Sequence, residues 1–479
     1  MPRKTSYHFF LALTLFATQL LVAQPSTSLS LPDSTIFSTG ISAVSVGKVV
    51  ITGNRKTKPI IILRELPFKT GDNYSLDVLV KKMETARKQL MNTALFHSVI
   101  IYAKHIEENV IDIAVDVKER WYIFPLPFFR PVDRNINQWL VEQNGSLQRV
   151  NYGAKLTYNN VTGYNDKLRI GFTNGYTKQI SLSYERPYID HQLKWGLKFS
   201  YAAGKNREIN YNTVDDKQVF LKDDNDFLRK FTVSNLELTY RRAIKTRHTI
   251  GIAYTKEQVG DTVSALNPTY FKSGRSTISF PGIYYNMNYL NLDYNPYPTK
   301  GYAAQVSLSK NGFNNALNLW QLHVKGLGIW PVLDRTFFSV SAYGGIKLPF
   351  RQPYFTRRFL GYGDVFLQGF EYNVVDGVAG GFVKTTLTRE LFNFAVNTPA
   401  GKKGREQHRI PIRIFSKVYS NAGYVHDPQP GDNSLSNRML YSGGFGIDIV
   451  TFYDVIFKFE WSFNSVGQNG LFFHQKSIF

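Results

Sequence analysis

The feature that most constrains this chain is an alternation of apolar and polar residues with a period of two, which recurs from residue 121 to the end. In the segment VIFKFEWSF, residues 455–463, three phenylalanines and a tryptophan alternate with lysine, glutamate and serine. Successive side chains of a β-strand point to opposite faces, so each such segment has one apolar and one polar face. The pattern predicts that most of the chain is β-structure.

The strands of a soluble β-sandwich also alternate, so the number and length of the segments must distinguish a sandwich from a transmembrane β-barrel. About sixteen segments, all but the first of them ten or more residues long, are separated by Gly, Asn and Asp turns, and aromatic residues make up 15% of the chain. Transmembrane strands need about 9–11 residues, occur in even numbers in bacterial barrels and carry aromatic girdles. We therefore expect a mostly β protein with a 16-stranded antiparallel transmembrane β-barrel over residues 121–479. The predicted strands are 122–129, 149–159, 166–176, 179–189, 192–203, 230–242, 247–257, 277–293, 301–311, 316–332, 336–347, 378–392, 410–425, 439–452, 454–464 and 470–479.

The N-terminus has the pattern of a secretory signal peptide over residues 1–23. Arg3 and Lys4 precede an apolar run from Phe9 to Ala23, which is shorter than the ~20 residues of a membrane-spanning helix. We expect cleavage after Ala23 and export from the cytoplasm; a retained membrane anchor is the alternative. Residues 24–43 are rich in Ser and Thr and have no periodicity, which indicates a linker.

Residues 44–120 have the pattern of a separate small α+β unit with the order β-α-α-β-β. Pro59 suits the first turn of a short helix, with Thr57 as its cap, and apolar residues at helical spacing indicate a second helix that begins near Ser75. The predicted strands of this unit are 46–54, 98–106 and 110–119.

A connection of about thirty residues, 347–377, separates the eleventh and twelfth predicted barrel strands. Hairpin connections have about 2–5 residues, and loops this long in compact folds are usually functional. Its stretch GYGDVFLQGFEYNVVDG, from Gly361 to Gly377, is too rich in glycine for a helix and too apolar for a solvent loop. We expect the barrel wall to cover it, with Phe370 packed inside and Gly369 allowing close approach of the backbone.

The unit at residues 44–120 resembles a POTRA domain. The resemblance is carried by I-x-G-N-x-x-T at 51–57, by the ALFHSV turn at 94–99 and by the closing VKER at 117–120. POTRA domains lie in the periplasm before outer-membrane barrels and are thought to receive unfolded clients by adding a strand to an exposed sheet edge. A small α+β module with another role is the alternative for this segment alone.

Two further motifs resemble sequence patterns of the Omp85 superfamily. Its members are the BamA- and TamA-like outer-membrane proteins that assemble or translocate other proteins. The family's lumen loop follows the eleventh strand and carries (V/I/L)-R-G-(F/Y), matched here by Leu367, Gln368, Gly369 and Phe370. A second family pattern lies just before the ninth strand. It is matched within LDYNPYPTKGY by Asp293, Asn295, Pro296, Pro298, Thr299 and Gly301.

One departure from the family pattern concerns the loop arginine and its partner, an aspartate on the thirteenth strand. Here Gln368 and Asn421 occupy these places, so both charges are missing together. Breaking one half of a buried ion pair costs about 3–5 kcal/mol, whereas replacing both halves can be nearly neutral. Two amides offer complementary donors and acceptors, so we predict that Asn421 is the lock partner of Gln368 through hydrogen bonds worth about 1 kcal/mol each.

Composition excludes several function classes. The chain has no cysteine and a formal charge of +21, with Lys and Arg scattered singly, which favours an anionic membrane surface or an acidic partner over nucleic acid. No HExxH, paired metal spacing or G-x-S-x-G elbow is present, so we expect no enzyme activity, no cofactor and no metal. Asp448 and Glu460 are predicted to face the lumen as partners of Lys or Arg on neighbouring strands rather than as an acid pair.

The resemblance implies an assembly, insertion or translocation factor of a Gram-negative outer membrane, with its POTRA-like domain in the periplasm. Its implied partners are unfolded outer-membrane or secreted proteins, outer-membrane lipids and accessory lipoproteins. Its implied action is local opening between the first and last barrel strands, and the last segment ends in Phe479, as outer-membrane barrels often do. A two-partner-type secretion transporter and a passive pore or surface antigen are the alternatives.

Overall fold

The computed structural model describes residues 43–474, apart from residues 108, 133–138, 141–143, 191, 224, 244, 398–408 and 452–454. The predicted signal peptide, almost all of the predicted linker and the last residues of the predicted final strand lie outside the described residues. None of the described helices is long and apolar enough to cross a membrane.

The first folded region is a four-stranded sheet covered by two helices. Its elements are β1 (Val44–Thr52), α1 (Pro59–Arg64), β2 (Asn73–Tyr74), α2 (Leu76–Asn92), β3 (Phe96–Glu107) and β4 (Val110–Glu119). The strand order is β2-β1-β4-β3, with β1 and β4 parallel and the other pairs antiparallel. This is the predicted α+β unit with one addition, because the two-residue strand β2 lies between the helices.

Local sequence explains where the helices begin and which face they bury. Pro59 opens α1, and Ser75 is the N-cap residue of α2. The predicted cap Thr57 is wrong, because Lys58 occupies the N-cap position of α1. Thr57 is instead buried, and its hydroxyl bonds to Tyr122 at 3.0 Å in the linker to the barrel.

A 16-stranded antiparallel sheet follows, as predicted, and each strand pairs with the next one along the sheet. Its members are β5 (Ile123–Pro131), β6 (Val150–Asn159), β7 (Lys167–Gly175), β8 (Thr177–Arg186), β9 (Trp195–Asn206), β12 (Arg229–Ala243), β13 (Thr246–Val259), β14 (Thr277–Leu292), β15 (Gly301–Asn314), β16 (Leu317–Leu333), β17 (Thr336–Leu348), β20 (Ala379–Asn397), β21 (Arg409–His426), β22 (Met439–Val450), β23 (Ile456–Asn464) and β24 (Asn469–His474).

The two faces of this sheet differ as the alternation requires. On β23, Phe459, Trp461 and Phe463 are 41%, 39% and 47% exposed, whereas Glu460 and Ser462 between them are 2% and 0% exposed. A band of exposed apolar side chains on the outer face of a barrel is the surface that lipid covers. The inner face carries the polar residues.

Two insertions were not predicted from the sequence. Strands β10 (Glu208–Val214) and β11 (Lys217–Lys222) form a separate hairpin between β9 and β12, and a short helix α3 (Asp261–Leu266) follows β13. At the hairpin tip, the carboxylate of Asp216 accepts bonds from the backbone N–H groups of Ser434 and Leu435 at 2.9–3.1 Å. The hairpin therefore closes over the loop that precedes β22.

The POTRA-like domain contacts the barrel through a buried ion pair and an apolar seam. Arg241, at the end of β12, donates both guanidinium nitrogens to the carboxylate of Glu65 at 2.8 and 3.2 Å. Tyr188 and Leu193, in the β8–β9 turn, join the core of the domain. The β8–β9 turn and the end of β12 therefore define the barrel end that carries the domain, and the β10–β11 hairpin lies at the other end.

Candidate functional site

The long loop between β17 and β20 folds into the barrel lumen. It contains a short helix α4 (Tyr354–Arg357) and two short paired strands, β18 (Arg358–Leu360) and β19 (Val375–Asp376). Leu367 and Phe370 are 0% and 2% exposed and pack in one apolar cluster with wall residues such as Val425 and Leu440. The wall covers the apolar part of the loop.

Gly369 holds the loop against the wall. Its φ of +92° is a conformation that favours glycine. A Cβ at this position would lie 2.9 Å from the Cβ of Ser442 on β22 and 3.1 Å from the carbonyl oxygen of Phe463 on β23. The carbonyl of Gly369 accepts a bond from Asn464 Nδ2 at 2.6 Å. No larger side chain fits here without displacing the loop.

The predicted bond between Gln368 and Asn421 is not formed. Gln368 Nε2 donates to Glu460 Oε1 on β23 at 2.8 Å, and Asn421 Nδ2 donates to Ser442 Oγ on β22 at 3.1 Å. The register explains the difference, because Asn421 lies directly opposite Ser442, so its amide is used within the wall. The loop is locked to a carboxylate, and hydrogen bonds to charged groups contribute about 1.5–3 kcal/mol, more than the neutral pair would.

A buried lysine bridges two carboxylates beneath this lock. Lys417 Nζ on β21 lies 2.5 Å from Asp448 Oδ1 on β22 and 2.5 Å from Glu460 Oε1 on β23. All three side chains are at most 6% exposed. The expected pairing of Asp448 and Glu460 with a basic residue is present, and one lysine serves both acids. The positive charge that the loop lacks at residue 368 is therefore supplied by the wall.

A glycine on β22, Gly446, lets the side chain of Lys417 extend across that strand. Lys417, Gly446 and Glu460 lie in one register row of β21, β22 and β23. A Cβ on Gly446 would lie 3.2 Å from Lys417 Cε and 2.3 Å from the carbonyl oxygen of Phe459. Gly446 thus leaves the space through which the ammonium group meets Glu460.

The second family motif reaches the same cluster from the end that carries the POTRA-like domain. Asp293 closes the turn before β15 by accepting bonds from the backbone N–H of Thr299 and Lys300 at 3.0 and 3.1 Å, and from Thr299 Oγ1 at 2.6 Å. Gly301 ends the turn with a φ of +118°. The motif thus makes a rigid turn.

Between its two prolines, this turn presents a tyrosine to the lumen. Pro296 and Pro298 flank Tyr297, whose ring stacks on Phe415 at 4.4 Å and whose hydroxyl donates to Asp448 Oδ2 at 2.9 Å. The backbone N–H of Asn295 donates to Asn92 Oδ1 at the end of α2, at 3.4 Å. The turn therefore connects the POTRA-like domain to the acid cluster.

Two further ionisable residues lie next to Glu460. His474 Nε2 on β24 is 3.4 Å from Glu371 Oε1 in the loop and 3.4 Å from Glu460 Oε2. Glu460 and His474 face a cavity of about 610 Å³, which is also lined by Gln368, Lys417 and Asp448. The loop, the last strand and the wall meet at this cavity.

Sequence reasoning placed the loop and the two acids but missed four residues of the site: Tyr297, Glu371, Lys417 and His474. Lys417 carried a usable signal, because its even-numbered spacing from Tyr419 and Asn421 marks the polar face of a strand. Tyr297 lies inside the recognised motif at a position that the pattern leaves unspecified. No local pattern marks Glu371 or His474.

The fold and site define a class: a 16-stranded barrel with a lumen-filling loop, preceded by one POTRA-like domain. The POTRA family model, described as surface antigen variable number repeat, matches residues 44–120, and the model of the Omp85 superfamily domain matches residues 160–451. The chain belongs to the Omp85 superfamily. No curated protein matches it.

Among the solved structures that are similar to this chain, one with a TM-score above 0.5 supports the fold. BamA from Haemophilus ducreyi lacking POTRA domains 1–3 is similar with a TM-score of 0.51 and 15% identity over 90% of this chain and 83% of that one. CdiB from Acinetobacter baumannii has a TM-score of 0.49 and 13% identity over 90% of this chain and 73% of that one. CdiB from Escherichia coli has a TM-score of 0.48 and 11% identity over the whole of both chains.

Proposed function

We propose that this protein assembles, inserts or translocates other proteins at the outer membrane of a Gram-negative bacterium. Its POTRA-like domain lies in the periplasm and receives unfolded clients, and the barrel guides them into or across the membrane. Membership of the Omp85 superfamily and the domain order support this proposal. The structural feature that supports client capture most directly is the free edge of the POTRA-like sheet.

Strand β3 forms that edge. Among the described residues it pairs with β4 and with no other strand. It is 12 residues long, and its exposed face presents Ile100, Tyr102 and Ile106 at 57%, 47% and 64% exposure. A long edge strand with exposed apolar side chains is a template to which an extended segment adds as a further strand. An unfolded β-barrel client offers such segments.

After capture by the POTRA-like domain, the client is inserted or translocated by the barrel. Its sixteen-stranded ladder begins at β5 and ends at β24, so a seam between these two strands is where a client strand would pair. The lumen loop and the Lys417 cluster brace β21, β22 and β23, next to the last strand. We infer that the braced wall stays rigid while the seam opens.

Charge substitutions on β3 test client capture. Replacing Ile100 and Ile106 with lysine leaves the core untouched because both side chains are exposed. We expect at least a tenfold loss of photo-cross-linking between β3 and an unfolded outer-membrane protein. The matched control is Val80→Lys, on the exposed side of α2 at 57% exposure. Equal cross-linking in the β3 variant and the control would contradict the proposal.

Depletion of the protein separates the function classes. If it is a general assembler, an inventory of outer-membrane proteins after depletion shows the loss of many barrels. Loss of one exported protein indicates a two-partner-type secretion transporter. An unchanged inventory favours a passive pore or surface antigen.

A disulfide between β5 and β24 tests the seam. The chain contains no cysteine, so a pair introduced into these strands forms without competition. We expect oxidation to abolish client insertion and reduction to restore it. Full activity in the locked protein would exclude a gating seam.

A further inference from the structure

Three buried polar atoms converge in the lumen without hydrogen-bond partners. They are Glu371 Oε1 in the loop, Glu460 Oε2 on β23 and His474 Nε2 on β24. Glu371 and Glu460 are 6% and 2% exposed. An unsatisfied buried polar atom costs free energy, so three that face one another indicate that something else binds there.

We propose that these three side chains form a binding site for a divalent transition-metal cation of the Zn²⁺ type. One imidazole nitrogen and two carboxylate oxygens are ligands that Zn²⁺ takes at about 2.0–2.2 Å. At the tetrahedral angle, two such ligand atoms lie about 3.3–3.6 Å apart. The observed distances from His474 Nε2 to the two carboxylate oxygens are both 3.4 Å, and all three atoms lie within 4.8 Å of one another.

One oxygen of each carboxylate already accepts hydrogen bonds, which leaves the other oxygen of each for a metal. Glu371 Oε2 accepts the backbone N–H of Gly369 at 2.7 Å, and Glu460 Oε1 accepts Gln368 Nε2 and Lys417 Nζ. Such bonds orient metal-binding carboxylates. The ring of His474 is held by stacking on Phe366, with centroids 5.0 Å apart. The fourth ligand position would face the cavity.

An ion pair with a protonated histidine is the competing explanation for the cluster. A single imidazolium N–H points in one direction, whereas His474 Nε2 is equally distant, at 3.4 Å, from two carboxylate oxygens and hydrogen-bonds to neither. Lys384 and Lys458 line the same cavity, so overall charge does not decide between the two explanations. The geometry of the free atoms favours the metal.

The site has a structural consequence. Its ligands come from the lumen loop, from β23 and from β24, so a bound cation would tie the last strand of the barrel to the loop and wall. Removing the metal would release β24 on the side where the ladder ends. This inference does not depend on which client, if any, the barrel handles.

Metal content tests the site directly. The full mature chain, purified in detergent with a tag that contains no histidine, is stripped with EDTA, incubated with Zn²⁺ and separated from free metal. We expect about one Zn²⁺ per chain, and at least a tenfold lower content in His474→Gln and in Glu371→Gln. The matched control is His323→Gln, because His323 also faces the lumen but bonds to Tyr343. Less than a tenth of one equivalent in the wild type, or equal loss in the control, would overturn the proposal.

Two measurements on the wild type keep the test decisive if a variant fails to fold. Co²⁺ in place of Zn²⁺ should give the visible absorption of a four-coordinate site with nitrogen and oxygen ligands. Zn²⁺ should also raise the unfolding temperature, because a ligand that binds the folded state alone stabilises it. Absence of both signals would overturn the proposal.

Discussion

The hydroxyl of Tyr297 donates to Asp448 Oδ2 at 2.9 Å, which joins the turn before β15 to β22 across the lumen. From the other side, Gln368 of the long loop reaches Glu460, and Lys417 links the two acids. Two family motifs far apart in sequence therefore meet at one charge cluster. The cluster, rather than either motif alone, fixes the interior of the barrel.

The Tyr297 bond contributes to stability. Tyr297→Phe removes the hydroxyl and leaves the ring stacked on Phe415, so we expect a loss of about 1.5–3 kcal/mol in the free energy of unfolding, the range for hydrogen bonds to charged groups. Urea unfolding in detergent measures it. The control is Tyr302→Phe, whose hydroxyl accepts from Trp330 on the exposed surface. Similar losses of unfolding free energy in both variants would show that the bond from Tyr297 to Asp448 stabilises the fold no more than an exposed hydrogen bond does.

Lys417 compensates two buried carboxylates. Lys417→Met removes the lysine that is hydrogen-bonded to both acids, and breaking a buried ion pair in this way costs about 3–5 kcal/mol. Replacing Asp448 by Asn and Glu460 by Gln in the same chain removes the stranded charges, so we expect most of the loss to be recovered. The measurement is the free energy of unfolding of the single and triple variants. A triple variant less stable than Lys417→Met would contradict this account.

Gly446 provides the space for the lysine. Gly446→Ala puts a Cβ 2.3 Å from the carbonyl oxygen of Phe459 and 3.2 Å from Lys417 Cε, so we expect a loss of about 1–3 kcal/mol, as for other overpacked sites. The matched control is Gly326→Ala on β16, where a Cβ has no atom within 4 Å. Equal unfolding free energies for the two variants would exclude a steric role for Gly446.

Arg241 helps to fix the orientation of the POTRA-like domain on the barrel. In Arg241→Met the buried carboxylate of Glu65 loses its two guanidinium bonds, while the apolar contacts of Tyr188 and Leu193 remain, so we expect the domain to stay attached and to sample a wider range of orientations. Spin labels on cysteines at Val80 and Lys300 report this as a broader distance distribution. Arg87→Met, on the exposed side of α2, serves as the control and should leave the distribution narrow. A narrow distribution in Arg241→Met would contradict the role of the ion pair.

The strand pattern could be predicted because lipid and lumen impose it on every second residue. Trp461 faces out and Glu460 faces in as their alternation requires. The β10–β11 hairpin was missed although its turn residues Asp215 and Asp216 both have positive φ, at 51° and 60°. Asp-Asp is a weaker hairpin signal than Asn-Gly, and the flanking strands are short.

The partner of Gln368 could not be predicted, because it depends on register among three strands. Asn421 lies in the row of Ser442, whereas Glu460 lies in the row of Gly446 and Lys417. A shift of one residue turns every side chain to the other face, and nothing local in the sequence sets the register between distant strands. The loop motif predicted that a hydrogen bond holds the loop to the wall, and the residues of the wall determine that the acceptor is the carboxylate of Glu460.

The most direct test of this account is a double-mutant cycle on the loop lock. Gln368→Ala and Glu460→Gln are made singly and together, and the same is done for Gln368→Ala with Asn421→Ala. We predict a coupling energy of at least about 1 kcal/mol for Gln368 with Glu460 and a value near zero for Gln368 with Asn421. Coupling to Asn421 with none to Glu460 would contradict the lock that the structure shows.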